Sequence, residues 1–154
     1  MKSKSINELC DLVRETSYAI HVYHGPGHLE KIYENALVHR LRKLGLDVKQ
    51  QHFIKVLDED GTLLGEYFAD LFVEGRLIVE LKAVKNLSDE HIAQLLGYLK
   101  STRMEHGLLA NFGGPRFQIK KYALSQPTPN PGEKLYSFLL PLFASFASFC
   151  GHSA

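Results

Sequence analysis

The chain has 154 residues, of which 45% are hydrophobic and 23% charged, and its formal net charge is +1. These values indicate one soluble globular domain and exclude a disordered or strongly basic chain, so any nucleic-acid surface must be local. The two cysteines, Cys10 and Cys150, have neither disulfide-scaffold nor zinc spacing. The N-terminal stretch lacks the apolar core of a signal peptide. We therefore expect a cytoplasmic protein.

Three helices are predicted from capping residues and apolar periodicity. The predicted spans are about 6–23, 28–44 and 88–103. Ser5 and Glu8 have the spacing of a capping box, which starts the first helix. A Gly-Pro-Gly break separates the first helix from the second, and Gly45 is the expected C-terminal cap of the second.

Five strands are predicted from runs of β-branched, aliphatic and aromatic residues bounded by turn signals. The predicted spans are 47–57, 63–73, 77–83, 106–111 and 117–124. The sequence DEDG separates the first two strands, and FGGP separates the last two. The predicted order is therefore ααβββαββ, an α/β (α+β) fold occupying residues 1–124.

The composition changes after residue 124. Residues 125–134 contain three prolines and are predicted to form a linker, followed by a hydrophobic tail over residues 135–154. A membrane-spanning helix needs about 20 apolar residues, and Pro141 interrupts this run, so no transmembrane span is expected. We expect the tail to pack on the domain or on a partner chain, including a second copy. Attachment to a membrane surface is the alternative.

Asp70, Glu80 and Lys82 interrupt two otherwise apolar strands. Glu80 and Lys82 are two residues apart and so share one face of a strand, where an isolated buried carboxylate would be very costly. Mg²⁺ binds one or two carboxylates plus water, and a nearby lysine can position the attacking water and stabilise charge on a phosphate. The pattern therefore suits metal-dependent phosphodiester cleavage. A buried ion pair or an exposed sheet edge would explain the same residues without catalysis.

The length of the loop between these two strands decides whether the two acids meet. A two-residue loop would set Asp70 opposite Val79, on the other face from Glu80. A three-residue loop over 74–76 sets the two acids opposite each other. Such loops use a residue in the left-handed region, which Gly75 adopts at little cost. We therefore predict the odd-length loop, or an equivalent bulge.

Two helices carry polar residues inside or beside their apolar stripes. The stripe of the second helix is predicted to comprise Leu29, Ile32, Tyr33, Ala36, Leu37, Leu41 and Leu44. Glu30 projects into this stripe and could reach the strand acids, although an ion pair with Arg40 is a competing explanation. On the third helix, Gln94 and Tyr98 lie together at i and i+4, which also fits an ordinary helix border. His91 is expected to be a solvated first-turn residue rather than a ligand.

In their order and spacing, these motifs resemble the GxxExxY proteins, a family assigned to the PD-(D/E)XK nuclease superfamily. The resemblance covers roughly residues 21–122 and lies in Gly27-His28-Leu29-Glu30-Lys31-Ile32-Tyr33, YENAL, QQHF, EYFADLFVEGRLIVELKAV, AQLLGYLK and GLLANFGG. It implies a restriction-endonuclease-like core in which a mixed sheet carries the site and helices flank it.

The resemblance also implies roles for single residues. The implied metal ligands for Mg²⁺ or Mn²⁺ are Asp70, Glu80, Glu30 and the backbone carbonyl of Leu81. Lys82 would be the catalytic lysine, acting with the two strand acids. The implied substrate-binding residues are Gln94, Tyr98, Tyr33 and Lys85, the first two resembling the Gln-x-x-x-Tyr element of RecB-like nucleases. Arg40 and Gly97 depart from the pattern of the family.

From the residues and the resemblance together we expect a Mg²⁺-dependent DNA nuclease acting in repair, processing or defence. The alternative is a non-catalytic nucleic-acid-binding or protein-interaction domain that keeps the fold, and a third reading is a structural partner that docks through its tail. The complete set of two acids and a lysine favours the enzyme. The near-neutral charge favours the others, because phosphate neutralisation usually draws on many Lys and Arg residues.

Overall fold

The computed structural model describes residues 4–125, and these form an α+β fold. The elements are α1 (Ile6–His24), α2 (Glu30–Lys43), β1 (Val48–Leu57), β2 (Leu63–Val73), β3 (Leu77–Lys82), α3 (Asp89–Thr102), β4 (His106–Asn111) and β5 (Gln118–Ala123). The predicted order ααβββαββ is confirmed. The predicted linker, apart from its first residue, and the predicted tail lie outside the described range. Within that range no helix has the length and apolar character needed to cross a bilayer.

The five strands form one sheet in the order β1-β2-β3-β4-β5. Neighbouring strands are antiparallel except β3 and β4, which are parallel and are joined through α3. A parallel pair requires such a crossover, because a hairpin reverses the chain. Helices α1 and α2 pack on one face of the sheet and α3 packs on the other, so β3 is buried on both faces. That position explains the apolar run of β3 and makes its Glu80 exceptional.

The predicted three-residue loop joins β2 to β3. Strand pairing sets Val73 opposite Leu77, Phe72 opposite Ile78 and Leu71 opposite Val79. Gly75 has a φ of 63°, as predicted, and Glu74 also has a positive φ of 53°. Glu74 is held in this conformation by Asp47, whose backbone N donates to the Glu74 carboxylate at 2.6 Å and whose O accepts from Glu74 N at 2.8 Å.

The predicted apolar stripe of α2 is only partly buried. Leu29, Ile32 and Leu44 are exposed, with Leu29 at 79%. The buried face of the helix consists of Tyr33, Glu34, Leu37, Val38 and Leu41. The face in contact with the sheet is therefore rotated towards Glu34 and Val38, and the two terminal leucines lie beyond that contact. This rotation brings a second glutamate into the interior.

The predicted alternative pairing of Glu30 with Arg40 is wrong. No ion pair joins them within residues 4–125, and the Arg40 guanidinium instead lies 5.9 Å from the centroid of the Tyr23 ring. The α1 capping box is confirmed, since Ser5 N donates to the Glu8 carboxylate at 2.6 Å and Glu8 N donates to Ser5 Oγ at 3.2 Å. His91 also serves as a cap, because its Nδ1 accepts from Ser88 N at 3.1 Å.

Candidate active site

The candidate site lies where β2 and β3 stop pairing. Beyond the pair Leu71–Val79, side chains replace the strand-to-strand hydrogen bonds. The backbone N of Leu81 donates to Asp70 Oδ2 at 2.8 Å, and Asp70 N lies 3.5 Å from Glu80 Oε2. Both acids are buried, Glu80 with only 2% of its surface exposed. The odd-length loop thus brings the two carboxylates together, as expected from strand parity.

Lys82 is held by two partners. Its Nζ donates to Glu80 Oε1 at 3.1 Å and to Gln94 Oε1 at 2.8 Å. Gln94 Nε2 in turn donates to the Tyr98 hydroxyl at 2.6 Å. One chain of hydrogen bonds therefore connects β3 to the face of α3 on which Gln94 and Tyr98 were predicted to lie together. Because the Tyr98 hydroxyl accepts from Gln94, its own proton remains able to donate elsewhere.

Glu34 is an acid that sequence reasoning missed. It is buried, and its Oε1 accepts from Lys31 Nζ at 2.7 Å and from Gln50 Nε2 at 2.6 Å. Gln51 Nε2 lies 3.1 Å from Glu34 Oε2 and 3.2 Å from Asp70 Oδ1, so it bridges the two acids. Glu30, the predicted supporting acid, is half-buried and makes no hydrogen bond or ion pair with the described residues. One signal was present in the sequence, since Glu34 follows Glu30 by one helical turn.

The backbone of β1 is distorted at Gln51. Its φ is 51°, which is uncommon for a residue other than glycine and is enriched at functional sites. The ladder between β1 and β2 pairs Gln50 with Leu71 and His52 with Ala69, but leaves Gln51 and Asp70 out. The distortion lies opposite Asp70, and the Gln51 side chain contacts that same acid.

The buried acids bind protons more tightly than ordinary carboxyl groups. Burial raises the pKa of Asp70 to about 6, against the lowering effect of the Leu81 N–H, and the charges of Glu34 and Glu30 raise it further. Burial raises the pKa of Glu80 to about 8, with Asp70 adding to the rise and Lys82 opposing it. The pair takes up protons jointly, because each ionised acid disfavours ionisation of the other. Burial and the Glu80 charge also raise the pKa of Tyr98 to about 12, which keeps its hydroxyl neutral.

The donor set at this site fits a divalent cation. Asp70 and Glu80 are adjacent hard oxygen ligands in a buried position, and an ion between them would relieve the repulsion that raises their pKa values. No group of three His, Cys, Asp or Glu side chains in residues 4–125 has the geometry of a metal site. Two carboxylates completed by water are nevertheless a normal arrangement for Mg²⁺.

Tyr33 and Lys85 occupy very different positions. Tyr33 is completely buried, and its hydroxyl donates to Gly25 O at 2.6 Å and accepts from His28 N at 3.1 Å. Its ring stacks on Phe112 with the centroids 4.8 Å apart. Tyr33 therefore holds the loop between α1 and α2, with no surface presented to a substrate in this conformation. Lys85 is exposed on the segment that follows β3.

Asn111 anchors the segment that follows Lys82, and sequence reasoning missed it. It is completely buried, and its Oδ1 accepts from Val84 N at 3.1 Å while its Nδ2 donates to Val84 O at 2.9 Å. The backbone N of Phe112 donates to Lys82 O at 2.8 Å. The end of β4 therefore anchors the backbone of Lys82 and of Val84.

Replacing Gly113 with alanine is expected to destabilise the protein by about 1–3 kcal/mol, because the added Cβ would press on the backbone of Ala83 and Val84. The matched control is Gly97→Ala in α3, where a Cβ meets nothing within 4 Å. Alanine there should stabilise the helix by up to about 1 kcal/mol. Urea unfolding measures both effects. Equal stability of the two variants would show that Gly113 is not needed for this packing.

Replacing Glu34 with alanine is expected to reduce the free energy of unfolding by about 1–3 kcal/mol, because Gln50 and Gln51 lose a buried acceptor. Glu30→Ala removes the same charge from the same helix but no hydrogen bond, and should change stability by less than about 0.5 kcal/mol. Urea unfolding without divalent metal compares the two. A larger loss in Glu30→Ala would mean that the supporting acid is Glu30 after all.

Comparison with known proteins supports the fold of this site. The sequence model of the PD-(D/E)XK nuclease superfamily matches residues 7–122. None of the curated proteins matches the chain. Among solved structures, the chain is similar to the crystal structure of SSO0001, with a TM-score of 0.52 and 12% identity over 77% of this chain and 79% of that one. At this identity the likeness shows a shared fold.

Proposed function

The chain belongs to the PD-(D/E)XK nuclease superfamily, and from this premise we propose that it is a metal-dependent nuclease that hydrolyses phosphodiester bonds in DNA. The observation that carries the proposal is the convergence of Asp70, Glu80 and Lys82 at the point where β2 and β3 separate. Buried acids with raised pKa values beside a hydrogen-bonded lysine are typical of catalytic sites.

Asp70 and Glu80 would hold Mg²⁺ or Mn²⁺ together with the backbone carbonyl of Leu81. The bound ion would polarise the phosphate and lower the pKa of a bound water. Glu30 and Glu34 approach Asp70 from α2, and both raise its pKa. In this proposal Glu34 orients Asp70 through Gln51, whereas the half-buried Glu30 supports the ion or its waters.

Lys82 would position the attacking water and stabilise the negative charge that develops on the phosphate. Its contacts with Glu80 and Gln94 set the Nζ before substrate arrives, so little reorganisation is needed. Gln94 therefore acts as a positioning residue for Lys82. Tyr98 would donate its hydroxyl proton in a hydrogen bond to a phosphate oxygen, as the likeness to the Gln-x-x-x-Tyr element of RecB-like nucleases suggests.

Lys85 would contact the substrate backbone, since it is exposed three residues after the catalytic lysine. Tyr33 was expected to bind substrate, but we now assign it to the support of the Gly25–His28 loop, because its ring and hydroxyl are committed there. The resemblance to GxxExxY proteins, a cytoplasmic location, a role in repair, processing or defence, and a protein contact through the tail remain parts of this proposal.

The proposal is tested by calorimetric titration with Mn²⁺ and Mg²⁺, followed by cleavage of labelled single- and double-stranded DNA. Wild type should bind the ions and cut only in their presence, whereas Asp70→Ala should lose both properties. Asp11→Ala is the matched control, because Asp11 is an exposed acid on α1, away from this site. Wild-type protein that binds DNA but cuts nothing with either ion would favour the non-catalytic nucleic-acid-binding domain.

A further inference from the structure

An exposed tyrosine, Tyr67, packs against the end of the hydrogen-bonded chain Lys82–Gln94–Tyr98. Tyr67 lies on β2, three residues before Asp70, and 44% of its surface is exposed. Its ring centroid is 5.3 Å from that of Tyr98, with the two rings tilted by 50°. Tyr98 is joined through Gln94 to the ammonium group of Lys82. These contacts therefore lead from the catalytic lysine outward to an aromatic face that solvent can reach.

A charged groove lies further along α3 and the β1–β2 hairpin, towards the hairpin tip. The last turn of α3 and the tip of the β1–β2 hairpin enclose about 460 Å³, and the cations in its lining are Lys55, Lys100 and Arg103. Asp58 and Glu59 also line it, so the lining carries three positive and two negative charges. The Asp58 carboxylate is already engaged in the turn, where it accepts from Glu59 N at 2.8 Å.

The groove and the Tyr67–Tyr98 pair lie between the same two elements, α3 on one side and the β1–β2 hairpin on the other. Ser101, which lines the groove, lies three residues after Tyr98 and therefore on the same side of α3, and Val56 in the groove lies two residues after Ile54, which pairs with Tyr67. From Gln94 to Arg103 the helix advances nine residues, or about 14 Å at 1.5 Å per residue. The surface is thus long enough for more than the scissile phosphate alone.

We propose that Tyr67, Lys100 and Arg103, here called the hairpin track, bind a single polynucleotide strand that leads out of the active site. The inference rests on the proposed nuclease function and narrows its substrate to nucleic acid with an unpaired segment. An aromatic side chain stacks on a base only when that base has left its own stack, and Tyr67 offers such a ring. Lys100 and Arg103 meet the phosphates beyond that base.

The stacking part is tested by measuring the affinity of the full-length protein for a labelled single-stranded DNA oligonucleotide in EDTA. Tyr67→Ala should raise the Kd about tenfold, because it removes one stacked base, and Tyr67→Phe should leave it unchanged. The matched control is Phe68→Ala. Phe68 is the neighbouring residue, is 51% exposed and pairs with Phe53, and alternation along the strand turns it to the other face. Equal losses in Tyr67→Ala and Phe68→Ala would overturn the assignment.

The phosphate part is tested by the salt dependence of the same Kd. Lys100→Gln/Arg103→Gln should reduce the slope of log Kd against log salt concentration by about 1.4, or about 0.7 for each lost contact with a single strand. Lys43→Gln/Arg14→Gln removes the same charge from α1 and α2 and should leave the slope unchanged. An unchanged slope in the first pair, or tighter binding of a blunt duplex than of the single strand, would overturn the inference.

Binding in EDTA separates this inference from the proposed function. If Tyr67→Ala leaves the Kd unchanged while the wild-type protein still cuts DNA, the hairpin track is wrong and the proposed nuclease function stands. If the oligonucleotide binds through the track but the protein cuts nothing in Mg²⁺ or Mn²⁺, the track stands and the proposed nuclease function is wrong. The same measurement with a single-stranded RNA oligonucleotide shows whether ribose or deoxyribose is preferred. Tighter binding of RNA through the same residues would keep the track and reassign its substrate to RNA.

Discussion

Lys82→Ala is expected to lower the rate of phosphodiester cleavage by about 100-fold or more, because one preorganised donor at the developing charge is typically worth this much. The Lys82 ammonium group donates to both Glu80 and Gln94, and alanine removes both contacts together with the charge. The fold should survive, since the backbone of Lys82 stays anchored by Phe112 N. A cleavage assay on labelled DNA, with circular dichroism of both proteins, makes the comparison.

Lys43→Ala is the control for Lys82→Ala, because it removes an exposed lysine from the end of α2 without touching the site. Its cleavage rate should equal that of wild type. If purified Lys82→Ala cuts as fast as wild type, the role assigned to Lys82 is wrong. Gln94→Ala should give a smaller loss of rate than Lys82→Ala, because it only loosens the ammonium group.

Without divalent metal, the free energy of unfolding is expected to fall as the pH rises from about 4.5 to about 8. The folded-state pKa values of Asp70 and Glu80 lie above 3.8 and 4.5, the ordinary values of these side chains in an unfolded chain. In this window the folded protein therefore holds more protons than the unfolded chain, and stability declines with pH.

Glu80→Gln should flatten this pH dependence and raise stability at pH 8, because the amide never ionises. Mg²⁺ or Mn²⁺ should also restore wild-type stability at pH 8, and less so near pH 5, where protons compete with the ion for the carboxylates. Urea unfolding at several pH values, with and without metal, measures both effects. The matched control is Glu105→Gln, an exposed glutamate before β4. If the free energy of unfolding of Glu80→Gln fell with pH as steeply as that of wild type, the buried pair would not be the cause of the pH dependence.

Local patterns in the sequence determined the elements and the central pair of acids. Helix and strand periods predicted the order ααβββαββ, and Ser5 with Glu8 predicted the start of α1. The contact between Asp70 and Glu80 could be predicted from the number of residues in the loop. Strand side chains alternate between the two faces of the sheet, and a three-residue loop puts both acids on the same face. These features depend on residues close in sequence, so a single chain is enough to predict them.

The tertiary structure alone decided which further residues join the site. Gln51 reaches Asp70 across 19 positions, and Asn111 holds Val84 across 27. Neither contact has a local signature, because each depends on how strands and loops meet after folding. The rotation of α2 is similar, since periodicity defines an apolar stripe but packing against the sheet decides which edge is buried. That packing exposed Leu29 and buried Glu34, where the Gln51 amide and the Lys31 ammonium compensate its charge.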